Sequence, residues 1–531
     1  MKSFSVSSVA TAAIVATSLL VSRAAAAVDP IVIKGSKFFY KTNGTQFFIR
    51  GVAYQQDYNG NGTAGYGSND QYTDPLININ NCNRDIPYLL QLNTNTIRVY
   101  AVDPTRDHSA CMAALANAGI YVIADLSSPT IGQNIDRSNP QWNDGIYARY
   151  TAVVDAFQNY TNVLGFFAGN EVSNAPNNTN ASAFVKAAVR DMKAYIKSKN
   201  YRTIGVGYAT NDDADIRVNM ADYFNCGDAS SAIDFWGYNI YSWCGESSYT
   251  ASGYDVRTQE FSTYSVPAFF AEYGCNNVEP RPFTEVQALY GPNMSTVWSG
   301  GIAYQYFQEA NNYGLVTVSG QSVTTNQDFS NLKTQLASIS PSSVASASYT
   351  PTNSPQACPS VGGNWSAAAT PLPPTPNQQV CSCMYNSLGC VVAGSTSEDN
   401  YGSLFGTVCG YGSSVCAGIT SNATTGTYGA FGMCNATEQL AYAFNNYYVG
   451  QHSSASACNF GGAATSKAAA SASGACSTLL AQAGTAGTGT VTSSPTGTAA
   501  SGSAPSVESG VFAMAFIVTI AAVSGMGMIL L

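Results

Sequence analysis

The sequence predicts an α/β protein: a (β/α)8 barrel followed by a small disulfide-rich module. Three observations lead there. Strand-like apolar runs alternate with amphipathic stretches from Val28 to about Ser340, two of those runs end directly in a glutamate, and the 14 cysteines divide into a sparse group and a dense one. Alternation of this kind favours a parallel sheet with crossover helices, and about 310 residues suit one barrel with insertions.

Taken in order, residues 1–27 combine Lys2, an apolar stretch from Ala10 to Val21 and the small residues Ala24 to Ala27, the pattern of a signal peptide. The catalytic-type domain is then expected over 28–340. Its strands are predicted at Phe47–Val52, Thr96–Tyr100, Tyr121–Asp125, Val163–Asn170, Ile204–Tyr208, Phe235–Ile240, Val266–Glu272 and Gly301–Phe307. Near-continuous apolar sequence is what a strand buried on both faces of a parallel sheet requires. Between strands four and five, Ala181–Lys199 places Phe184, Ala187, Val189, Met192 and Ile196 close to one helical stripe. Ser, Ala and Pro dominate Ser338 to Pro355, so 341–371, with Cys358, reads as a linker. The cysteine-rich module is expected at 372–476, and a Ser/Ala/Gly/Thr-rich stalk, unable to bury a core, at 477–503. Residues 504–531 end in an apolar tail without Lys or Arg; preceded by Ser501, Gly502 and Ser503 as candidate attachment residues, this is the pattern of a GPI signal that is removed.

The chemistry concentrates at two segments, Gly169-Asn170-Glu171-Val172 and Ala271-Glu272-Tyr273-Gly274. On the strand count, Glu171 ends strand four and Glu272 strand seven, so both carboxylates reach the C-terminal face where barrels do chemistry. Two carboxylates about 5 Å apart across that face are the machinery of a retaining glycosidase: one protonates the leaving oxygen, the other attacks the anomeric carbon. The acid must arrive protonated while the nucleophile stays ionised. Asn170 is placed to donate to the 2-hydroxyl of the donor sugar, and Asp125 ends strand three within reach of sugar hydroxyls.

Composition agrees with a sugar-facing, extracellular protein. Lys plus Arg number 22 against 31 Asp plus Glu, which leaves no basic surface for nucleic acid, and 33 tyrosines supply rings that stack on sugars. Sequons occur at Asn43, Asn61, Asn159, Asn177, Asn180, Asn293, Asn364, Asn422 and Asn435. Cys82, Cys111, Cys226, Cys244, Cys275 and Cys358 are widely spaced; Cys381, Cys383, Cys390, Cys409, Cys416, Cys434, Cys458 and Cys476 are crowded. Even numbers in a secreted chain imply disulfides, whose pairing spacing alone does not fix. Zinc is the rival reading, but the chain has only His108 and His452, so no metal and no cofactor is expected.

Gly169-Asn170-Glu171, Ala271-Glu272-Tyr273-Gly274, Arg98-Val99-Tyr100 and Tyr304-Gln305-Tyr306-Phe307-Gln308-Glu309-Ala310-Asn311 together resemble the fungal GPI-anchored β-1,3-glucanosyltransferases of the Gas/Gel group, glycoside hydrolase family 72. Leu372-Pro373-Pro374-Thr375-Pro376 and Cys381-Ser382-Cys383-Met384 resemble the X8 module, carbohydrate-binding module 43, which one branch of that family carries. The resemblance implies Glu171 as acid/base, Glu272 as nucleophile, Tyr241 as a hydrogen-bonding partner of the nucleophile, and Tyr100, Tyr304 and Tyr313 as residues of a glucan groove. It further implies a disulfide between Cys226 and Cys358, donor and acceptor chains of β-1,3-glucan as partners, elongation of wall glucan, and residence on the outer face of the plasma membrane or in the wall. Two alternatives stay open on the residues alone: an endo-β-1,3-glucanase, in which water resolves the intermediate, and a non-catalytic wall protein. Whether the module binds glucan or braces the barrel also stays open. Nothing in the sequence demands an oligomer, and a monomer is expected.

Overall fold

The computed structural model describes residues 28–57 and 72–493. The signal-peptide reading at 1–27, the sequon at Asn61, the attachment candidates Ser501, Gly502 and Ser503, and the apolar tail lie outside the described residues. No helix among the described residues is long and apolar enough to cross a membrane.

Eight parallel strands close into a barrel: β1 (Ile49–Ala53), β2 (Thr96–Val99), β3 (Tyr121–Asp125), β4 (Val163–Asn170), β5 (Gly205–Thr210), β6 (Trp236–Asn239), β7 (Ala268–Tyr273) and β8 (Trp298–Ala303). Closure comes where β8 pairs with β1, Gly300 opposite Ile49. Strand one starts two residues later than the sequence suggests because Phe47 belongs to another sheet, pairing with Phe38. Strand eight lies earlier than expected: Tyr306 and Phe307 are aromatic and buried, yet the chain leaves the barrel after Ala303.

The N-terminal end of the barrel is plugged by a three-stranded antiparallel sheet of Ile31–Lys34, Lys37–Tyr40 and Gln46–Phe47. Phe38 from this plug meets Phe235 and Phe269, each 6.1 Å between ring centroids, and Phe167 packs on Phe235 at 5.3 Å. These rings fill the barrel interior, so it is a packed core and not a pore. They fit because Gly207 lacks a side chain; a Cβ there would lie 2.3 Å from the Phe235 ring.

Between β4 and β5, helix α1 (Ser182–Ser198) runs over the expected span and buries Phe184, Ala187, Val189, Met192 and Ile196. The chain beyond the barrel does not hang free. Residues 341–371 lie along the barrel as a mostly exposed strap, pinned by Gln46 N–H to the Val344 carbonyl (3.2 Å), by the Cys226–Cys358 disulfide, and by fully buried Trp365, whose ring packs 5.0 Å from Tyr223.

The dense cysteines fold into a helical module with α2 (Gln378–Ser387), α3 (Tyr401–Cys409), α4 (Ala436–Gly450) and α5 (Gly474–Ala483), stapled by Cys381–Cys434, Cys383–Cys476, Cys390–Cys458 and Cys409–Cys416. It has its own apolar core around Val380, Met384, Val408, Leu440 and Phe444, which Leu479 and Ala483 of α5 join, so the module runs past the expected boundary at 476 and the first part of the expected stalk is packed helix. Where it meets the barrel, Asp191 on α1 accepts from Trp142 Nε1 and Thr375 Oγ1, each at 2.7 Å, while Arg190 donates to the Pro373 carbonyl at 2.9 Å. Asp144 N–H donates to the Met433 carbonyl at 3.0 Å across the same contact. Among the described residues, the one cluster of metal-ligating types is Cys381, Cys434 and Glu438, and its two sulfurs are bonded to each other.

Of the sequons, Asn43, Asn159, Asn177, Asn293, Asn364 and Asn422 are exposed, whereas Asn180 and Asn435 are half-buried. Asn435 is also the N-cap of α4, its side chain accepting from Glu438 N–H.

Candidate active site

The C-terminal ends of β2, β3, β4, β6 and β7 converge on one charged cluster above the phenylalanine layer. Its centre is Arg98 on β2, fully buried. Its guanidinium is sandwiched between Phe167 (4.6 Å) and Tyr100 (4.2 Å). In its plane it donates to both oxygens of Asp125 (3.1 and 3.0 Å), to Asn170 Oδ1 (3.0 Å) and to Glu272 Oε1 (3.4 Å). A planar fork with five donors is what allows one side chain to hold three neighbours at fixed angles.

Glu272, 8 % exposed at the end of β7, has both oxygens occupied. Tyr100 donates to Oε1 and Tyr241 to Oε2, each at 2.8 Å. Burial pushes the carboxyl up to about 7; Arg98 opposes this, the nearby Glu171 charge adds to it, and the two phenol hydrogen bonds pull it down. Burial also raises both phenols well above their ordinary value, for Tyr100 against the pull of Arg98, so each stays a donor. A disulfide between Cys244 and Cys275 ties the loop after β6, which carries Tyr241, to the loop after β7.

Glu171 follows β4 in a left-handed backbone conformation, φ 49°. Its N–H donates to the Ala209 carbonyl (2.9 Å), and its own carbonyl accepts from Arg137 (2.6 Å). Asn239, the last residue of β6, donates through Nδ2 to Glu171 Oε1 (2.8 Å) and to Asn170 Oδ1 (3.0 Å). Tyr304 and Tyr313 form one wall with Tyr241, ring centroids 5.2 and 5.7 Å apart, and Tyr100 meets Tyr304 edge-on at 6.4 Å. Arg281, buried and paired with Asp328 at 2.6 Å, fixes that wall by donating to the carbonyls of Tyr304 and Tyr313.

The structure therefore brings together Glu171, Glu272, Asn170, Tyr100, Tyr241, Tyr304 and Tyr313. Asp125 is at the predicted strand end but is 2 % exposed, with both oxygens committed to Arg98; it supports the guanidinium and does not face sugar hydroxyls. Sequence reasoning gave no role to Arg98, Asn239, Arg281 or Arg137. A lone charge inside Thr96-Ile97-Arg98-Val99 is the signal that could have found the first.

Two glutamates brought together at the C-terminal face of a barrel, one after strand four and one on strand seven, are the pattern of a glycoside-processing enzyme. The family model described as Glucanosyltransferase matches residues 20–340, and that of the X8 domain matches 388–465. A 1,3-beta-glucanosyltransferase of Arthroderma benhamiae is 57% identical over 463 residues, 83% of this chain and 84% of that one. The 1,3-beta-glucanosyltransferase gas1 of Schizosaccharomyces pombe is 49% identical, with 84% of this chain and 80% of its own covered. Among solved structures, a mutant of Saccharomyces cerevisiae Gas2p in complex with laminaritetraose and laminaripentaose superposes with a TM-score of 0.72 at 44% identity, covering 80% of this chain and 91% of that one. The chain belongs to the glucanosyltransferase family, glycoside hydrolase family 72, with an X8 domain, and is a β-1,3-glucanosyltransferase.

Proposed function

We propose that Glu272 is the nucleophile and Glu171 the acid/base of a double displacement on β-1,3-glucan. The observation that supports this most is the asymmetry between the two carboxylates: Glu272 receives Arg98, Tyr100 and Tyr241, which favour its ionised form, while Glu171 has one amide donor to its side chain. In the first half-reaction, Glu272 attacks the anomeric carbon of an internal glucose unit. Glu171 gives its proton to the departing O3, and the reducing-end part leaves. The remaining chain is held as an ester on Glu272. In the second half-reaction, Glu171 takes the proton of the 3-hydroxyl at the non-reducing end of an incoming chain, and that oxygen displaces Glu272 to form a new β-1,3 bond. Tyr100, Tyr304 and Tyr313 line the groove that holds the glucan, and positioning an acceptor chain there at high effective concentration lets it compete with water.

The experiment is mass-resolved product analysis of the secreted ectodomain with a reduced, end-labelled β-1,3-glucan oligosaccharide. Products longer than the donor support transfer; exclusively shorter ones would make hydrolysis the reaction. Anchoring through GPI within Ser501 to Ser503, with a single chain acting on wall glucan, completes the proposal. Release from membranes by a phosphatidylinositol-specific phospholipase C checks the anchor.

A further inference from the structure

Asn239 is 2 % exposed, and its side-chain amide is used in an unusual way. Both hydrogen bonds go through Nδ2, to Glu171 Oε1 at 2.8 Å and Asn170 Oδ1 at 3.0 Å, while Oδ1 is buried without a hydrogen-bond partner in the protein. Turning the amide over would set an acceptor against two acceptors, so only this orientation bonds. A buried amide with an unsatisfied acceptor is poor as packing, which points to what its donor end does.

We propose that Asn239 is a positioning residue that dictates which oxygen of Glu171 carries the transferred proton, and that sets the orientation of Asn170 at the same time. This rests on the reading of Glu171 as acid/base. Because Oε1 already receives an N–H, a proton on Oε1 would face a donor; the transferable proton is therefore carried on Oε2, in both directions of the shuttle. On the other side, Asn170 Oδ1 receives Arg98 Nη2 and Asn239 Nδ2, each at 3.0 Å, so the Asn170 amide is held with its donor end turned away from them. One side chain thus links the acid/base to the group that meets the 2-hydroxyl of the donor sugar. The other charged or titratable groups around Glu171 are Glu272, Arg98 behind Asn170, and Arg137 on the Glu171 carbonyl.

The test is transfer kinetics against pH, on the secreted ectodomain, for Asn239→Ala and Asn239→Asp. Asn239→Ala should lower kcat on the order of a hundredfold with KM changed less than about threefold, since the lost contact acts on the transition state. Its kcat/KM should hold up to higher pH, because a carboxyl that loses a donor to its ionised form keeps its proton longer. Asn239→Asp is the same size and sets a second carboxylate beside Glu171, so the basic limb should move further up; it carries the same readout if Asn239→Ala is not secreted folded. A rate loss with the basic limb unmoved in either variant, or an unchanged rate, overturns the proposal. Glu171→Gln separates the two layers: retained transfer there would defeat the acid/base reading itself, whatever Asn239 does.

Discussion

At the scale of single residues, the site is a contest between burial and hydrogen bonding at Glu272. Removing one donor should tip it: Tyr241→Phe should move the acidic limb of kcat/KM to higher pH and cut kcat at least tenfold, read from pH–rate profiles. The same burial makes Glu272 a stability liability. Its carboxyl, raised from 4.5 to about 7 in the folded chain, favours folding when protonated and opposes it when ionised, so stability is fullest below about 4.5 and falls as pH rises through 7. Glu272→Gln should therefore add up to about 3 kcal/mol of stability at pH 8, read as a higher Tm, and leave Tm nearly unchanged at pH 4. At Glu171 the left-handed backbone reverses a familiar order: Glu171→Gly should be more stable than Glu171→Ala by about 1 kcal/mol in denaturant titrations. Both glutamates were legible because a charge directly after a long apolar run has few places to go except a strand end. Asn239 was not, since an amide at a strand end looks like any turn residue until its partners on β4 are known. Asp125 was legible in position and not in role, because the arginine that consumes it lies 27 residues earlier.

At the scale of elements, the eight strands could be read from buried apolar runs, and β3 and β4 match residue for residue. The ends failed where an apolar residue is buried for another reason: Phe47 is part of the plug, and the aromatics after Ala303 pack as a loop held by Arg281. The strap illustrates the limit of composition. Ser, Ala and Pro suggest a spacer, but one tryptophan in it, Trp365, is fully buried beside Tyr223, and Tyr223 Oη donates to the Ala368 carbonyl at 3.0 Å. Trp365→Ala should cost about 3–5 kcal/mol in thermal or denaturant unfolding, far more than a tether could. A chain ending at 340 should accordingly be secreted poorly.

At the scale of the molecule, the module and the barrel meet through carboxylates as well as apolar contact. Glu438 on α4 is raised to about 7 by burial and by Asp144 opposite it, and burial raises Asp144 as well. Asp144 Oδ1 is buried with no hydrogen-bond partner. Both shifts have the same sign: the contact is strongest below about 4.5 and weakens as pH rises through 7. Glu438→Gln, which keeps the N-terminal cap of α4, should flatten the fall in Tm between pH 5 and 8. No sequence pattern announces such a pair, because its members are 294 residues apart and each alone reads as a helix N-terminal acid.

Six of the seven disulfides join cysteines within the barrel or within the module; Cys226–Cys358 alone bridges the barrel and the strap. The stretch of strap before it is largely exposed. An endoprotease cutting there would sever the peptide chain without parting the enzyme: on a gel the two fragments would separate only after reduction, and everything downstream of Cys358 would stay fastened to the barrel. The bridge thus makes a cut in the strap a nick and not a separation.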